Sequence, residues 1–451
     1  MSLKDVWRYE AAPWSERAWA RAINRQLLPS QAIGVRAPGY WLRTGSPPRD
    51  PAVAAAAAAA LSDKCGRAVT VKELWPGLAP REQDHGAVER RDSASAVEGL
   101  RELSDTVRQY RTVPARDLTL DALGATLATA STSGLFPQRT LPPVISMIQR
   151  HIAELRLLDD KVGGGVDSVM WVRTQLRAVL DLWTQTEHEP EVGRALLRSA
   201  SQLAQLMGWM SFDAGDQGRA QRAYVLAMRL AHELGDNDSV INQLGMLSYI
   251  TAHTGSADEA KLIATQAMHL ARAAHPVVRA RTAGRLATAC AAAGDLSGFR
   301  SAADEAQTLL QKSLDEPPPA FLYYFDSPQL AAESGQALVD LANPRISTEL
   351  KTQRNRLLGQ AVAALTPLAH VDHNSTHQRS ALLHGCYLAW AHLRRGDIDS
   401  AAQVTVTAVR RLDAVQSGRC RSMVSDLRAA FGLRMPHPSA ALAREAIDQA
   451  R

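Results

Sequence analysis

The chain is predicted to be all-α, a small helix-turn-helix-like N-terminal domain followed by a tetratricopeptide-like α-solenoid, and three observations predict it. Aromatic residues make up only 5% of the 451 residues while alanine and leucine recur throughout, a balance that favours helix over strand. Apolar residues fall at helical spacing from Leu118 onward, as in Ile148, Ile152, Leu155 and Leu158. Glycine-centred turns then recur at a nearly fixed interval between helical stretches.

Taken in order, residues 1–78 hold Trp7, Trp14, Trp19, Trp41 and Trp75, five of the nine tryptophans. So short a segment needs large side chains to build a core, and it reads as the helix-turn-helix-like domain. Residues 1–80 carry eleven basic and six acidic side chains, an excess that equals the formal +5 of the whole chain. A basic head on a neutral body suits a DNA-contacting module joined to a sensor. In such a module the second helix enters the major groove. Residues 15–24 are expected to form the supporting helix and residues 36–43 the recognition helix. Arg36, Tyr40 and Arg43 would then face DNA and Arg49 a flanking phosphate. Gly39 and the long stretch 27–35 depart from the usual tight turn. They keep open an alternative in which the domain is vestigial and the protein is an adaptor without DNA binding.

Residues 79–113, with Arg81, Glu82, Asp84, Glu89, Arg90, Arg91 and Asp92, read as a polar linker, and residues 114–451 as the repeat domain. Gly163, Gly164 and Gly165 interrupt the chain before a helix with Val169, Val172, Leu176, Val179 and Leu180 on one face. The turns at Gly215, Gly255, Gly294 and Gly396 each end one helix and precede another. Their first two spacings are 40 and 39 residues, longer than the roughly 34 of a standard tetratricopeptide repeat. Small residues flank each turn: Gly208, Ser248, Ala287 and Ala389 seven positions before, and Ala220, Ala260 and Ala401 five after, with Phe299 as the exception. An irregular pair is expected around residues 341–345.

Counting from the turns places Gln205, Trp209, Asn242, Tyr249, Arg281, Arg285 and Trp390 on the concave inner face, the usual ligand surface of a solenoid. Amides, arginines and aromatics on one groove suit a peptide or protein partner. Packing between helices is the competing reading for the aromatics. The run Phe321, Tyr323, Tyr324 and Phe325 is expected to close the core of the irregular repeat. His370, Asp372, His373 and His377 read as a solvated loop rather than a metal site.

The stretches Trp41-Leu42-Arg43-Thr44-Gly45, Pro47-Pro48-Arg49-Asp50-Pro51 and Gly66-Arg67-Ala68-Val69-Thr70 carry a family resemblance. Leu155-Arg156-Leu157-Leu158-Asp159-Asp160-Lys161-Val162-Gly163-Gly164-Gly165 and Met207-Gly208-Trp209-Met210-Ser211-Phe212-Asp213-Ala214-Gly215 extend it. On these motifs the chain resembles actinobacterial regulators that join a degenerate Cro/repressor-type helix-turn-helix to tetratricopeptide-like repeats. The resemblance covers nearly the full length. It implies a transcriptional regulator, most often a negative regulator of differentiation or antibiotic production.

No cofactor is expected, and no phosphate-binding loop, nucleophile elbow or metalloprotease motif points to an enzyme. An enzyme of unrecognised type stays as the remote alternative. Residues 1–10 lack the apolar stretch of a secretory signal, and the longest apolar run, residues 51–61, is too short to cross a bilayer of about 30 Å. Cys65, Cys290, Cys386 and Cys420 are scattered, which fits a reducing compartment. A cytoplasmic protein without membrane association is expected, and a homodimer is compatible with this reading.

Overall fold

The structure, a computed structural model, describes residues 3–9, 14–24, 32–65, 69–75, 142–186, 188–313, 317–343, 349–372 and 374–450. The polar linker 79–113 and the first part of the repeat domain, 114–141, lie outside the described residues. Helices and turns account for the described chain, with no strand among the described residues.

Tryptophan organises the N-terminal unit, made of α1 (Leu3–Tyr9), α2 (Glu16–Asn24), α3 (Ala37–Thr44), α4 (Pro51–Cys65) and α5 (Val71–Leu74). The rings of Trp7 and Trp14, Trp7 and Trp19, Trp19 and Trp41, and Trp41 and Trp75 lie 6.1, 5.0, 5.8 and 6.1 Å apart, a continuous aromatic spine. Alanines of α4 let α2 approach, and the fully buried Trp19 indole donates to the Ala57 carbonyl at 3.2 Å. Asn24 braces the entry to α3 by exchanging two hydrogen bonds with the backbone of Ile33. A Cβ at Gly39 would stand 2.1 Å from Oε2 of Glu16, the far end of an exposed side chain that can swing aside.

The repeat domain is built from antiparallel pairs. They run α6 (Pro142–Val162), α7 (Val166–Gln185), α8 (Pro190–Asp213), α9 (Gln217–Glu233), α10 (Asn237–His253), α11 (Ala257–Leu270), α12 (Pro276–Ala292) and α13 (Leu296–Lys312). After an irregular stretch with a 3-10 turn at Ala320–Leu322 come α14 (Ser327–Leu341), α15 (Arg354–Ala369), α16 (Gln378–Arg395), α17 (Ile398–Val409), α18 (Gly418–Gly432) and α19 (Pro438–Gln449). Sequential neighbours pack on one another, as an α-solenoid requires.

One device makes the turns. Glycine at 215, 235, 294 and 396 takes a left-handed φ of 68° to 90°. The next N–H reaches back to a carbonyl in the finished helix: Asp216 to Ser211, Asp236 to Ala231, Asp295 to Cys290 and Asp397 to His392, at 2.8–3.0 Å. The same aspartate then caps the following helix through the N–H of Arg219, Ser239, Gly298 or Ser400. Gly235 was not among the turns read from spacing, because it joins consecutive pairs instead of the two helices of one pair. Small residues before the turns mark tight contacts: a Cβ on Gly208 would meet the Tyr224 ring at 2.7 Å, and Ser248 Oγ donates to the Ala260 carbonyl.

The solenoid also returns on itself. α6 packs against α16 and α8 against α18. The Gln416 N–H donates to the Val162 carbonyl at 2.7 Å, while Asp213 accepts from the Gly164 N–H at 2.9 Å and from Ser417 Oγ at 2.8 Å. A Cβ on Gly164 would lie 2.1 Å from the Met210 carbonyl oxygen, and one on Gly418 would lie 2.4 Å from that of Ala214. The triple glycine therefore does more than end a helix: it lets the loop between α6 and α7 fit the closing seam.

Candidate functional site

Closure turns the expected open groove into a recessed cavity of about 160 Å³. Five residues placed there from the sequence line it: Gln205, Trp209, Tyr249, Arg281 and Arg285. Asn242 and Trp390 do not line it. Asn242 shares the stripe of Met246 and Tyr249 on α10 but is buried. Trp390 is half-buried against the C-terminal core, with the Arg394 guanidinium 5.3 Å from its ring centre.

At one end of the cavity stand two neighbouring carboxylates of α6. Asp159 Oδ2 accepts from Arg379 at 3.3 Å, Asp160 lies 4.0 Å from the same guanidinium, and Asp160 also accepts from the Tyr323 hydroxyl at 2.7 Å. Asp159 is buried, and its Oδ1 has no hydrogen-bond partner of normal geometry. Burial raises its carboxyl to about 7, with Asp213 and Asp160 adding to the rise and Arg379 opposing it. The apolar stripe read from the sequence is corrected here. Leu158 is 37% exposed, and Asp159 takes the buried position that follows Ile148, Ile152 and Leu155.

At the other end, Arg281 and Arg285 of α12 share Glu333 of α14. Arg281 donates to that carboxylate and to the Tyr324 hydroxyl, while Arg285 comes no nearer to it than 3.7 Å. Burial alone would raise Glu333, yet the two arginines hold its carboxyl down to about 2. The Arg285 guanidinium rests on the Tyr249 ring at 4.0 Å and donates to Met246 Sδ at 3.2 Å. The arginines are thus not free anchors on an open groove. Both are buried, and Arg281 is already committed to Glu333.

Two aromatic bridges join the ends. Trp209 carries Arg379 at 5.0 Å on one side and meets Tyr249 at 6.3 Å on the other. Tyr323 and Tyr324, 5.5 Å apart, connect Asp160 to Arg281. The aromatic run therefore has two roles: Phe321 and Phe325 are in the core as expected, but Phe321 and both tyrosines also line the cavity. Arg156, Gln202, Asp326, Gln329, Gln336 and His384 add to the polar lining.

In the N-terminal unit, α3 begins at Ala37 and buries Pro38, Gly39 and Trp41. Its opposite face carries Arg36, Tyr40 and Arg43, spaced four and three residues apart and all exposed; Arg49 is exposed beyond it.

Among the described residues no group of histidine, cysteine, aspartate or glutamate could hold a metal ion. His373 lies outside the described residues. No described helix is long and apolar enough to cross a membrane. No protein-family model matches the chain, and no curated protein sequence matches it.

Proposed function

We propose that the protein is a ligand-responsive transcriptional regulator, negative in sign, that contacts DNA through the N-terminal unit and binds its effector, a peptide or protein segment, in the cavity of the repeat domain. The observation that carries this reading is the two-faced character of α3. Its inner face is fixed to the tryptophan core while Arg36, Tyr40 and Arg43 project together from a unit with a net positive charge. A short helix anchored on one side, presenting arginines on the other, fits a major groove and gains from phosphate neutralisation at its flanks.

A second reading draws on a different surface. Val166, Met170 and Trp171 of α7 are 73%, 39% and 59% exposed, and Leu157 and Leu158 of the preceding helix α6 are exposed as well. An apolar patch of this kind suits a protein partner and supports an adaptor without DNA binding. Retardation of random-sequence DNA by the full chain over a salt series separates the two. A regulator retards DNA with a steep loss of affinity as salt rises, and an adaptor retards none at low salt.

A further inference from the structure

The two ends of the cavity are of opposite character, carboxylates with Arg156 nearby at one and guanidiniums at the other. Asp159 and Asp160 face the single guanidinium of Arg379, whereas Arg281 and Arg285 face the single carboxylate of Glu333. Buried charged groups at both ends have incomplete bonding, Nε of Arg379, Arg281 and Arg285 among them. Besides Arg379, the Asp159 carboxylate has only the Trp209 indole as a side-chain donor, and Arg285 makes no hydrogen bond to oxygen, with Nε unpartnered and its remaining contacts given to a sulfur and a ring face. Buried charges left this way cost free energy unless something supplies the missing counter-charge. A bound group of opposite sign at each end would do so.

We propose that the cavity binds a short oligopeptide with both termini free, its ammonium on Asp159 and Asp160 and its carboxylate on Arg285. The proposal rests on the reading of the cavity as the effector site. A carboxylate can accept two hydrogen bonds from the Arg285 fork, which Glu333 at 3.7 Å does not occupy. At the other end an ammonium supplies donors to the carboxylates of Asp159 and Asp160, which both line the cavity. Between them Gln202 and Gln205 spend their side-chain oxygens on Arg156 and Gln243, which leaves their amide N–H groups for main-chain carbonyls.

Length follows from the bridges. Arg379 to Trp209, Trp209 to Tyr249 and Tyr249 to Arg285 are steps of 5.0, 6.3 and 4.0 Å. A peptide advances about 3.3–3.6 Å per residue, and these steps bound the span from above, so at most about four residues connect the charged ends. Aromatic walls at Trp209, Tyr249 and Tyr323 favour apolar side chains in between.

The test uses the full chain and three tripeptide libraries of mixed sequence: free at both ends, N-acetylated, and C-amidated. Equilibrium dialysis with mass spectrometry reads which peptides the protein retains. The free library should yield retained peptides, and either cap should lower their retention at least about tenfold, the loss of one charge-assisted contact. Asp159→Asn should abolish the discrimination against acetylation while keeping that against amidation, and Arg285→Gln should do the reverse. Because the capping comparison needs no variant, it stands even if a substitution impairs folding. Equal retention of capped and free peptides, or no retained tripeptide, overturns the proposal. Peptide retention by a chain that retards no DNA sustains the ligand assignment and removes the regulator reading. DNA binding without peptide retention does the opposite.

Discussion

The Arg379 guanidinium bonds Asp159 at 3.3 Å although 220 residues separate them, so a single buried ion pair joins α16 to α6 and helps close the solenoid. Asp160 shares the same cation. Removing the arginine leaves two buried carboxylates without it, a change that costs about 3–5 kcal/mol when one partner of a buried pair is lost. Urea unfolding of Arg379→Ala should show a loss of that size. Arg379→Lys should recover only part, since a point charge cannot reproduce the fork and the ring contact with Trp209. An alanine variant as stable as the wild type would contradict the closing role.

Asp159 gives the seam a pH signature. Its carboxyl titrates at about 7 in the folded chain, raised chiefly by burial, against about 4 in the unfolded chain. The native state therefore holds the extra proton between those values. The contribution of this group to stability is fully present below about pH 4 and is lost as pH rises toward 7. Asp159→Asn cannot titrate. The stability of the wild type relative to that variant should fall from pH 4 to pH 7, measured by urea unfolding at steps of pH. A constant difference would mean the carboxyl ionises at an ordinary value.

His253 moves the other way. Burial and the neighbouring Arg419 lower its imidazole to about 3, and it lies 3.0 Å from that guanidinium and 2.8 Å from the Tyr249 carbonyl. A neutral ring donates to the carbonyl and accepts from the arginine. The stability it contributes is present above the unfolded value near 6.5 and is lost as pH falls toward 3. His253→Gln keeps an amide in place of the ring and should reduce the acid sensitivity in that window. An unchanged acid profile would remove His253 from the account.

The seam can also be tested by size alone. Gly164→Ala places a methyl group 2.1 Å from a main-chain oxygen and should cost about 1–3 kcal/mol, with faster proteolysis between α6 and α7. Gly359→Ala is the control. Nothing lies within 4 Å of its Cβ, so the same chemical change inside α15 should stabilise by about 0.5–1 kcal/mol. If both variants behave alike, the closure at Gly164 is not tight.

How much of this was legible in the sequence depended on whether local pattern or long-range contact decides. The turns at Gly215, Gly255, Gly294 and Gly396 were readable, because a left-handed glycine is a local requirement, followed at all but Gly255 by an aspartate that caps the next helix. Trp209, Tyr249, Arg281 and Arg285 were readable as inner-face residues from repeat spacing. Asp159, Arg379 and Glu333 were missed as site residues. What brings them together is the return of α16 to α6 and the packing of α14 on α12, which no local periodicity encodes. One signal was available: an aspartate at position 159 continues the buried stripe of Ile148, Ile152 and Leu155, where an apolar residue belongs. Trp390 was misplaced for the converse reason. Spacing carried it to the inner face, but packing against the C-terminal helices took it out of the cavity.

Arg281 and Glu333 show why residues on an inner face need not be free to bind. Arg281→Ala should cost about 3–5 kcal/mol by leaving the buried carboxylate with the Gln329 amide and, as counter-charge, only the distant Arg285. Adding Glu333→Gln should restore a large part of it, because the stranded charge is then gone. Thermal or urea unfolding of the single and double variants checks this. Losses that simply add would show the two side chains act independently.

The regulator reading is tested most directly by DNA binding of the full chain, wild type against the Arg36→Ala and Arg43→Ala double variant. The fragment is selected from random sequence, and affinity is measured across a salt series. Both arginines are exposed on α3, so the substitutions spare the tryptophan core. The wild type should bind with affinity that falls steeply as salt rises, and the double variant should bind at least about 1–3 kcal/mol more weakly, with a shallower salt slope. A wild-type chain that retards no DNA at low salt, or a double variant with unchanged affinity and slope, would contradict the account.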